Sequence, residues 1–457
     1  MKKVLNPERV WEIMEKNVYT DLGPTSLIAE QREWPVFVEG HGIYLRDIEG
    51  KEYIDGTGIA KCTPLGHGNR RVIEAIKEQL DKLQITLPMQ SDVALLLSEK
   101  IAQLAPPGLN RVYLSVTGSH AVEASMILTR QYFKSQGKPN HIIITQWLSY
   151  HGASRGSMGA TGIAAVKSNR GRDISDVDSG VYHVLPPYCY RCPYDLEYPQ
   201  CGIQCAKIID EMIKHMGPDN VAGFMAEPIL STGGAITPPP EYWPIVREIC
   251  DKHKILLIFD EIVTGWGRLG KLWASELFNI TPDIILTGKG LTAGYMPLTA
   301  MILRDHVGEY FSVKDAQLPL IVRTHSSHPL GCAAALATID VIMEERLWEN
   351  AAQVGAHLKG RLEDIAQKSK IVGAVHGVGL ALAVELVEDK RTKAPSPSLA
   401  AAINEKCREK GLNMLLGMAG AHNQLYILPA LIITKEQSDR LCDIFSESVE
   451  EVETARR

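Results

Sequence analysis

The sequence predicts an α/β fold: a mostly parallel sheet wrapped by helices, with a second, smaller α+β unit that recruits both chain ends. Three observations carry this expectation. Beyond Gly66, apolar runs of five to seven residues alternate with helical periodicity, as expected for parallel strands joined by crossover helices. That alternation breaks once, near position 370. Finally, 457 residues with 45% hydrophobic and 22% charged side chains supply core for two or more domains and exclude disordered or collagen-like chains.

The elements follow in order. Asn6 and Pro7 read as N-cap and first residue of a short helix whose apolar face is Val10, Trp11, Ile13 and Met14. From Val36 to Ile54, turn signals at Gly40, Gly42 and Gly50 divide short strands of a small antiparallel sheet. Helices are expected at 70–83, 91–104, 121–134, 205–215 and 241–252, and strands at 111–116, 141–145, 221–226, 254–259 and 283–287. One long helical region runs from Pro329 to about 367, then a strand pair at 371–386, a helix at 398–410, a strand at 424–428 and a last helix from about 435.

Composition also bounds function. A net charge of −6, from 48 Lys and Arg against 54 Asp and Glu, offers no basic field for a nucleic-acid backbone. No run approaches the length of a membrane span, and MKKVLNPERVWEIMEKN lacks the apolar core of a signal peptide, so a cytoplasmic protein is expected. In that setting the nine cysteines read as reduced thiols.

Three segments carry chemistry. The run Lys254–Phe259 ends in Asp260 and Glu261, at the carboxyl end of a parallel strand, where open α/β sheets place ligands. A second strand ends in Gly288-Lys289-Gly290, so the two ends could present a carboxylate and an amine to one pocket. The bland alternative is a surface lysine and a helix-capping Asp. The strand around Arg111–Val116 leads through Thr117-Gly118-Ser119-His120 into a helix beginning at Ala121, an arrangement that suits a phosphate, unless Ser119 is simply the cap. The glycines of 265–270, followed by Lys271-Leu272, imitate a P-loop, but Leu272 stands where a hydroxyl is required, and a nucleotide-binding switch is the disfavoured reading.

With these segments, above all FDEIVTGWGRLGKLWASELFNITPDIILTGKGLTAGYMPL, the chain resembles the class III, or ω-amino-acid, aminotransferases from Gly42 to Thr434. The resemblance implies fold type I, the aspartate-aminotransferase-like pyridoxal-phosphate fold, with a mostly parallel seven-stranded sheet sandwiched by helices. It also implies a cofactor domain at 65–328 and a small discontinuous domain from 1–64 and 329–457. Carried over by position, Lys289 is the Schiff-base lysine and Asp260 the partner of the pyridine nitrogen. Tyr150 and Ile262 flank the ring, Gly118 and Ser119 take the phosphate, and His151, Glu227 and Val263 lie beside the cofactor. A homodimer, or a dimer of dimers, is implied, because Thr324 of the partner subunit completes the phosphate site. The activity implied is ping-pong amino transfer from a primary amine or ω-amino acid to an oxo acid such as pyruvate. A decarboxylating transaminase of dialkylglycine type, a lyase or an epimerase are the alternatives.

The chain departs from the family where relatives carry a carboxylate-binding Arg and a neutralising Glu: here stand Tyr426 and Thr232. That pair suggests a donor with an apolar or uncharged end. The expected substrate pocket is Ala60, Lys61, Thr232, Arg323, His325 and Tyr426, with Lys61, Arg323 or His325 as candidates for the acceptor's carboxylate. His120 and Val263 replace the residues usual at their positions. His67 and His151 read as hydrogen-bonded structural histidines. Cys189, Cys192, Cys201 and Cys205 have spacing acceptable for zinc, but the expectation is no metal: a compact loop of thiols packed by Tyr188, Tyr190 and Tyr198.

Overall fold

Alternation within the strand Leu256–Asp260 sets the layout of the molecule. Leu257 and Phe259 point to one face of the central sheet and join the larger hydrophobic core, while Leu256 and Ile258 point to the other. A strand buried on both faces needs a helical layer on each. In the computed structural model the second face is covered by the helix Gly118–Lys134 through Ala121, Val122, Ala124 and Leu128. The first is covered by Gln204–Met216 and Tyr242–His253 through Ile209, Ile213, Trp243 and Val246. The structure describes residues 6–19, 34–87, 89–164, 166, 180–313, 321–418, 420 and 422–456. The first five residues, read above for a leader, lie outside them.

The sheet has seven strands in the order Leu109–Ser115, Thr299–Arg304, Ile284–Thr287, Leu256–Asp260, Val221–Ala226, Ile142–Gln146, Val181–Val184. Only Thr299–Arg304 runs antiparallel to its neighbours. This is the expected α/β architecture, with the carboxyl ends of the parallel strands on one rim.

Several boundaries differ from expectation. The central strand starts at Leu256 because Lys254, at φ 55°, is the left-handed cap of the preceding helix. The helix expected from Ala121 starts at Gly118, capped by Thr117 Oγ1, which accepts from His120 N at 3.2 Å. The long region after Pro329 is two helices, Pro329–Glu344 and Leu347–Lys368, divided by Arg346 at φ 50°. The segment 265–270 joins no strand to a helix. A Cβ on Gly267 or Gly270 would meet Trp348 or Ala352 of Leu347–Lys368, so these glycines serve close packing.

The N-terminal strands Phe37–His41, Tyr44–Asp47 and Glu52–Asp55 form the expected antiparallel sheet, and Leu412–Asn413 adds a fourth strand parallel to Glu52–Asp55. A separate antiparallel sheet joins Val372–Val378, Ala381–Leu386, Gln424–Ile427 and Leu415–Leu416. Dividing the chain into 65–328 and 1–64 with 329–457 is a proposal. Pairing of residues 54–55 with 412–413 supports it, although helix Pro329–Glu344 packs on Arg70–Leu80 and Asp92–Leu104. Among the described residues no helix is long and apolar enough to cross a membrane.

Asp283 ties the sheet to its covering helix: Oδ2 accepts from Arg247 Nη1 at 2.9 Å and from Leu257 N at 2.8 Å. Removing one member of a buried pair leaves the other uncompensated, so Asp283→Ala should cost about 3 kcal/mol. A urea-unfolding midpoint unchanged from wild type would contradict this.

Candidate active site

Because Asp260 continues the face of Leu256 and Ile258, its carboxylate points toward the layer that contains the helix Gly118–Lys134. There it meets a cavity of about 260 Å³ lined by Thr117, Gly118, Ser119, Tyr150, His151, Gly152, Glu227, Asp260, Ile262, Val263, Lys289 and Thr299. Every cofactor-site residue expected from the sequence is in that lining except Thr324.

Asp260 is 3% exposed, and a buried carboxylate requires partners. One oxygen accepts from Ile262 N at 3.1 Å; the other accepts from His151 Nδ1 at 2.8 Å, leaving the buried His151 Nε2 without a partner. His151 is thus hydrogen-bonded as expected, but its partner makes it a positioning residue for Asp260. The neighbouring acid turns away. Glu261 accepts from Ala274 N and Ser275 N at 2.6 and 3.0 Å, capping the short helix Ala274–Leu277. The capping role that the bland reading gave to Asp260 belongs to Glu261.

The second wall is the helix terminus. Thr117 takes the cap and leaves Gly118 and Ser119 in the first turn, whose N–H groups lack intrahelical acceptors. Ser119 is not the cap; its Oγ accepts from Ala153 N at 3.3 Å. A Cβ on Gly118 would stand 2.9 Å from Ile262 Cδ1, and one on Gly152, at φ +116°, 2.4 Å from Ser119 Oγ, so both glycines keep the terminus open. His120 faces the other way, toward Ser115 Oγ and Ile321 O, and burial lowers its pKa.

Lys289 closes the third side. Gly288 lets the chain leave strand Ile284–Thr287 against Thr299, whose Cγ2 would lie 2.7 Å from a Cβ there, and Lys289 follows at φ 41°. Glu227 holds the fourth wall: Oε1 accepts from Tyr150 N at 2.9 Å and Oε2 from Ser231 N at 3.1 Å. Burial raises the Glu227 pKa.

Of the expected substrate pocket, Lys61, Thr232 and Tyr426 come together. Lys61 Nζ donates to Thr232 Oγ1 at 3.0 Å and lies 4.6 Å from the Tyr426 ring centroid, while the Tyr426 hydroxyl donates to Thr232 O. Burial, then the Lys289 charge, pushes the Lys61 pKa down to about 7. Ala60 is exposed, because the turn at positive φ sends only Lys61 inward, and none of Ala60, Lys61, Thr232 and Tyr426 is itself in the cavity lining. Arg323, Thr324 and His325 are exposed and do not line this cavity. Thr117, Gly152 and Thr299 were missed. Thr117 was legible as a cap; Thr299 lay on an unexpected strand. His67 Nε2 pairs with Asp55 Oδ2 at 3.0 Å, as a structural histidine.

Cys189, Cys192, Cys201 and Cys205 are free thiols lining a separate narrow cavity with Tyr188, Tyr194 and Tyr198, whereas Tyr190 packs edge-on against His376. Among the described residues no group of three or more His, Cys, Asp or Glu is arranged to hold a metal.

The pattern of the family "Aminotransferase class-III" matches residues 28–449. The chain is 35% identical to an adenosylmethionine-8-amino-7-oxononanoate aminotransferase of Geobacter sulfurreducens over 93% of each chain. It is 30% identical to a putrescine–pyruvate aminotransferase of Pseudomonas aeruginosa, over 92% of this chain and 91% of the relative. An amine transaminase from an uncultivated Pseudomonas species, solved in its PLP-bound form, superposes with a TM-score of 0.90 at 32% identity, over 96% of this chain and 99% of the other.

Burial of Glu261 raises its pKa from the ordinary 4.5 to about 7. The folded state therefore holds the proton more tightly, and this contribution to stability is full below pH 4.5 and lost as pH rises through 7. Glu261→Gln cannot titrate. The stability difference between wild type and Glu261→Gln should shift toward the variant between pH 4.5 and 7.5, and urea midpoints that move in parallel would refute it.

Proposed function

The chain belongs to the class-III aminotransferases, and from that premise we propose that it is a pyridoxal-phosphate-dependent transaminase moving an amino group from a primary amine or ω-amino acid to an oxo acid such as pyruvate. One observation carries the reading: an amine, a buried carboxylate and an open helix N-terminus stand on three sides of one cavity. Class III aminotransferases depend on pyridoxal phosphate, and the residues here fit it. A phosphate suits the first turn at Gly118 and Ser119, a protonated ring nitrogen suits Asp260, and Lys289 is the only primary amine in the lining.

When bound, the cofactor supplies an electron sink for the charge left at the substrate's amine-bearing carbon. The protein does the rest. His151 Nδ1–H and Ile262 N–H fix both Asp260 oxygens, so that the carboxylate keeps its aim. Glu227 holds the Tyr150 backbone, and Tyr150 and Ile262 are assigned opposite faces of the ring. Lys289 Nζ would be the general acid–base that takes the proton leaving the substrate carbon and passes it on to the cofactor, and that carries a proton the opposite way in the reverse half-reaction. Thr324, exposed in one protomer, is assigned to the neighbouring active site of a homodimer.

The holoenzyme should show a visible absorption band that borohydride abolishes by modifying Lys289. Given 1-phenylethylamine and pyruvate, it should yield ketone and alanine in equal amounts. Lys289→Ala should lower turnover by about 10³-fold, within the 10²–10⁴ range of a lost acid–base group. Free ammonia, carbon dioxide or racemisation without alanine would overturn the assignment of activity. Sedimentation should give twice the chain mass of 50.4 kDa, or four times it for a dimer of dimers; a monomer that retains full activity would refute the shared site.

A further inference from the structure

Among the described residues only two cations are buried, Lys61 at 7% exposure and Arg268 at 3%. Arg268 is satisfied by donating to the carbonyls of Leu380 and Pro429. Lys61 has no such anionic or carbonyl partner among the described residues. Its Nζ donates to a neutral hydroxyl, Thr232 Oγ1, and rests against the face of the Tyr426 ring. The charges acting on it are Lys289 and Arg268, which repel, and Glu227, which attracts. Glu227 is already engaged by Tyr150 N and Ser231. Lys61 lies behind the cavity lining: Thr232 follows Ser231, which donates to Glu227 of the lining, and Tyr426 packs in one apolar cluster with Val263, another lining residue. A buried amine without a counter-ion is an anion subsite waiting for its charge.

The backbone supports the same conclusion independently. Gly58, Ile59, Ala60 and Lys61 have φ of 55°, 30°, 55° and 69°, four successive residues in the left-handed region, three of them not glycine. Backbone in such sparsely populated regions clusters at ligand clamps, where its neighbours over-determine it. Here Asp55 does so, accepting from Ile59 N through both carboxylate oxygens, at 3.1 and 3.0 Å. The turn delivers Lys61 inward and leaves Ala60 outside.

We propose that Lys61 binds the carboxylate of the oxo-acid acceptor, between the Thr232 hydroxyl and the Tyr426 ring. This rests on the aminotransferase reading. The acceptor is favoured over an ω-amino acid donor because Lys61 and its partners Thr232 and Tyr426 adjoin Glu227 and Val263 of the cavity lining, and the Lys289 charge acts on Lys61. In an oxo acid such as pyruvate the carboxylate is bonded directly to the reacting carbon, whereas the far carboxylate of an ω-amino acid would overshoot. A carboxylate between two ammonium groups also converts their repulsion into attraction. With the Lys61 pKa near 7, acceptor affinity should fall as pH rises through that value, because the neutral amine has no charge to offer.

The test compares wild-type, Lys61→Met and Lys61→Arg holoenzymes on pyruvate and on propanal, an acceptor without a carboxylate, and on β-alanine against propylamine as donors. Lys61→Met should lower the pyruvate-to-propanal ratio of kcat/KM at least tenfold, mainly through the KM for pyruvate, and abolish the rise of that KM above pH 7. Lys61→Arg should restore part of the ratio. An unchanged ratio overturns the proposal, as does a loss confined to β-alanine, which would assign the subsite to the donor. Should Lys61→Met fail to fold, a wild-type KM for pyruvate that is flat from pH 6 to 8.5 overturns it. If no amine and oxo acid react at all, the aminotransferase reading has failed separately. Lys61 is then judged by propionate, which should shift the thermal midpoint of wild type, but not of Lys61→Met, where propionamide does not; no wild-type shift overturns it.

Discussion

The site depends on one buried contact, between Asp260 and His151. A carboxylate on the last residue of a strand enclosed by helices cannot be left to water, so both of its oxygens are supplied from protein: one from the backbone two residues on, one from a ring nitrogen in a loop 109 residues away in sequence. The second bond has consequences beyond Asp260. It draws the 150–152 loop over the helix terminus at Gly118, where Gly152 must lack a side chain to pass Ser119. Tyr150 is then fixed through Glu227, itself at the end of the next strand, Val221–Ala226. One ion-dipole contact thereby sets the spacing of three walls of the cavity.

Much of this was legible because burial on both faces writes a long apolar run that ends abruptly in charge. Leu256–Asp260 and Ile284–Thr287 could be placed, and with them Asp260 and Lys289, since parallel strands bring their carboxyl ends to one rim. What escaped lacks such a signal. Thr299–Arg304 holds an apolar run of only four residues, Ala300–Leu303, which periodicity cannot distinguish from part of a short helix, so the antiparallel strand and Thr299 were not anticipated. Val181–Val184 is too short and too polar to stand out. Thr117 and Ser119 are both favoured cap types, Ser the more so, and only the extended backbone of Thr117 and its bond from His120 N decide between them. The His151 partner is a long-range fact, invisible to any local pattern.

Positions 232 and 426 illustrate how tertiary contact gives meaning to two separate departures in sequence. Read singly, Thr232 and Tyr426 are losses of charge. In the fold they touch, the Tyr426 hydroxyl donating to the Thr232 carbonyl while the Thr232 hydroxyl receives Lys61. The lysine comes from a different part of the chain, the turn after Glu52–Asp55, so positive charge is present in the neighbourhood but enters from another direction. An aromatic face suits an ammonium, and the hydroxyl satisfies one of its three donors.

The two adjacent acids show how a single strand end divides structural from chemical duty. Side chains alternate along a strand, so consecutive carboxylates at its end cannot both face one cavity. Asp260 takes the cavity side, and Glu261, turned away, is absorbed by backbone N–H groups of Ala274 and Ser275. That engagement fixes the turn 261–273, which packs Trp266 and Trp273 beneath the site, and Trp266 Nε1 in turn donates to Thr287 Oγ1 at the foot of the Lys289 turn. The acid turned away from the cavity thus holds the turn that carries Trp266 against the strand end from which Lys289 departs.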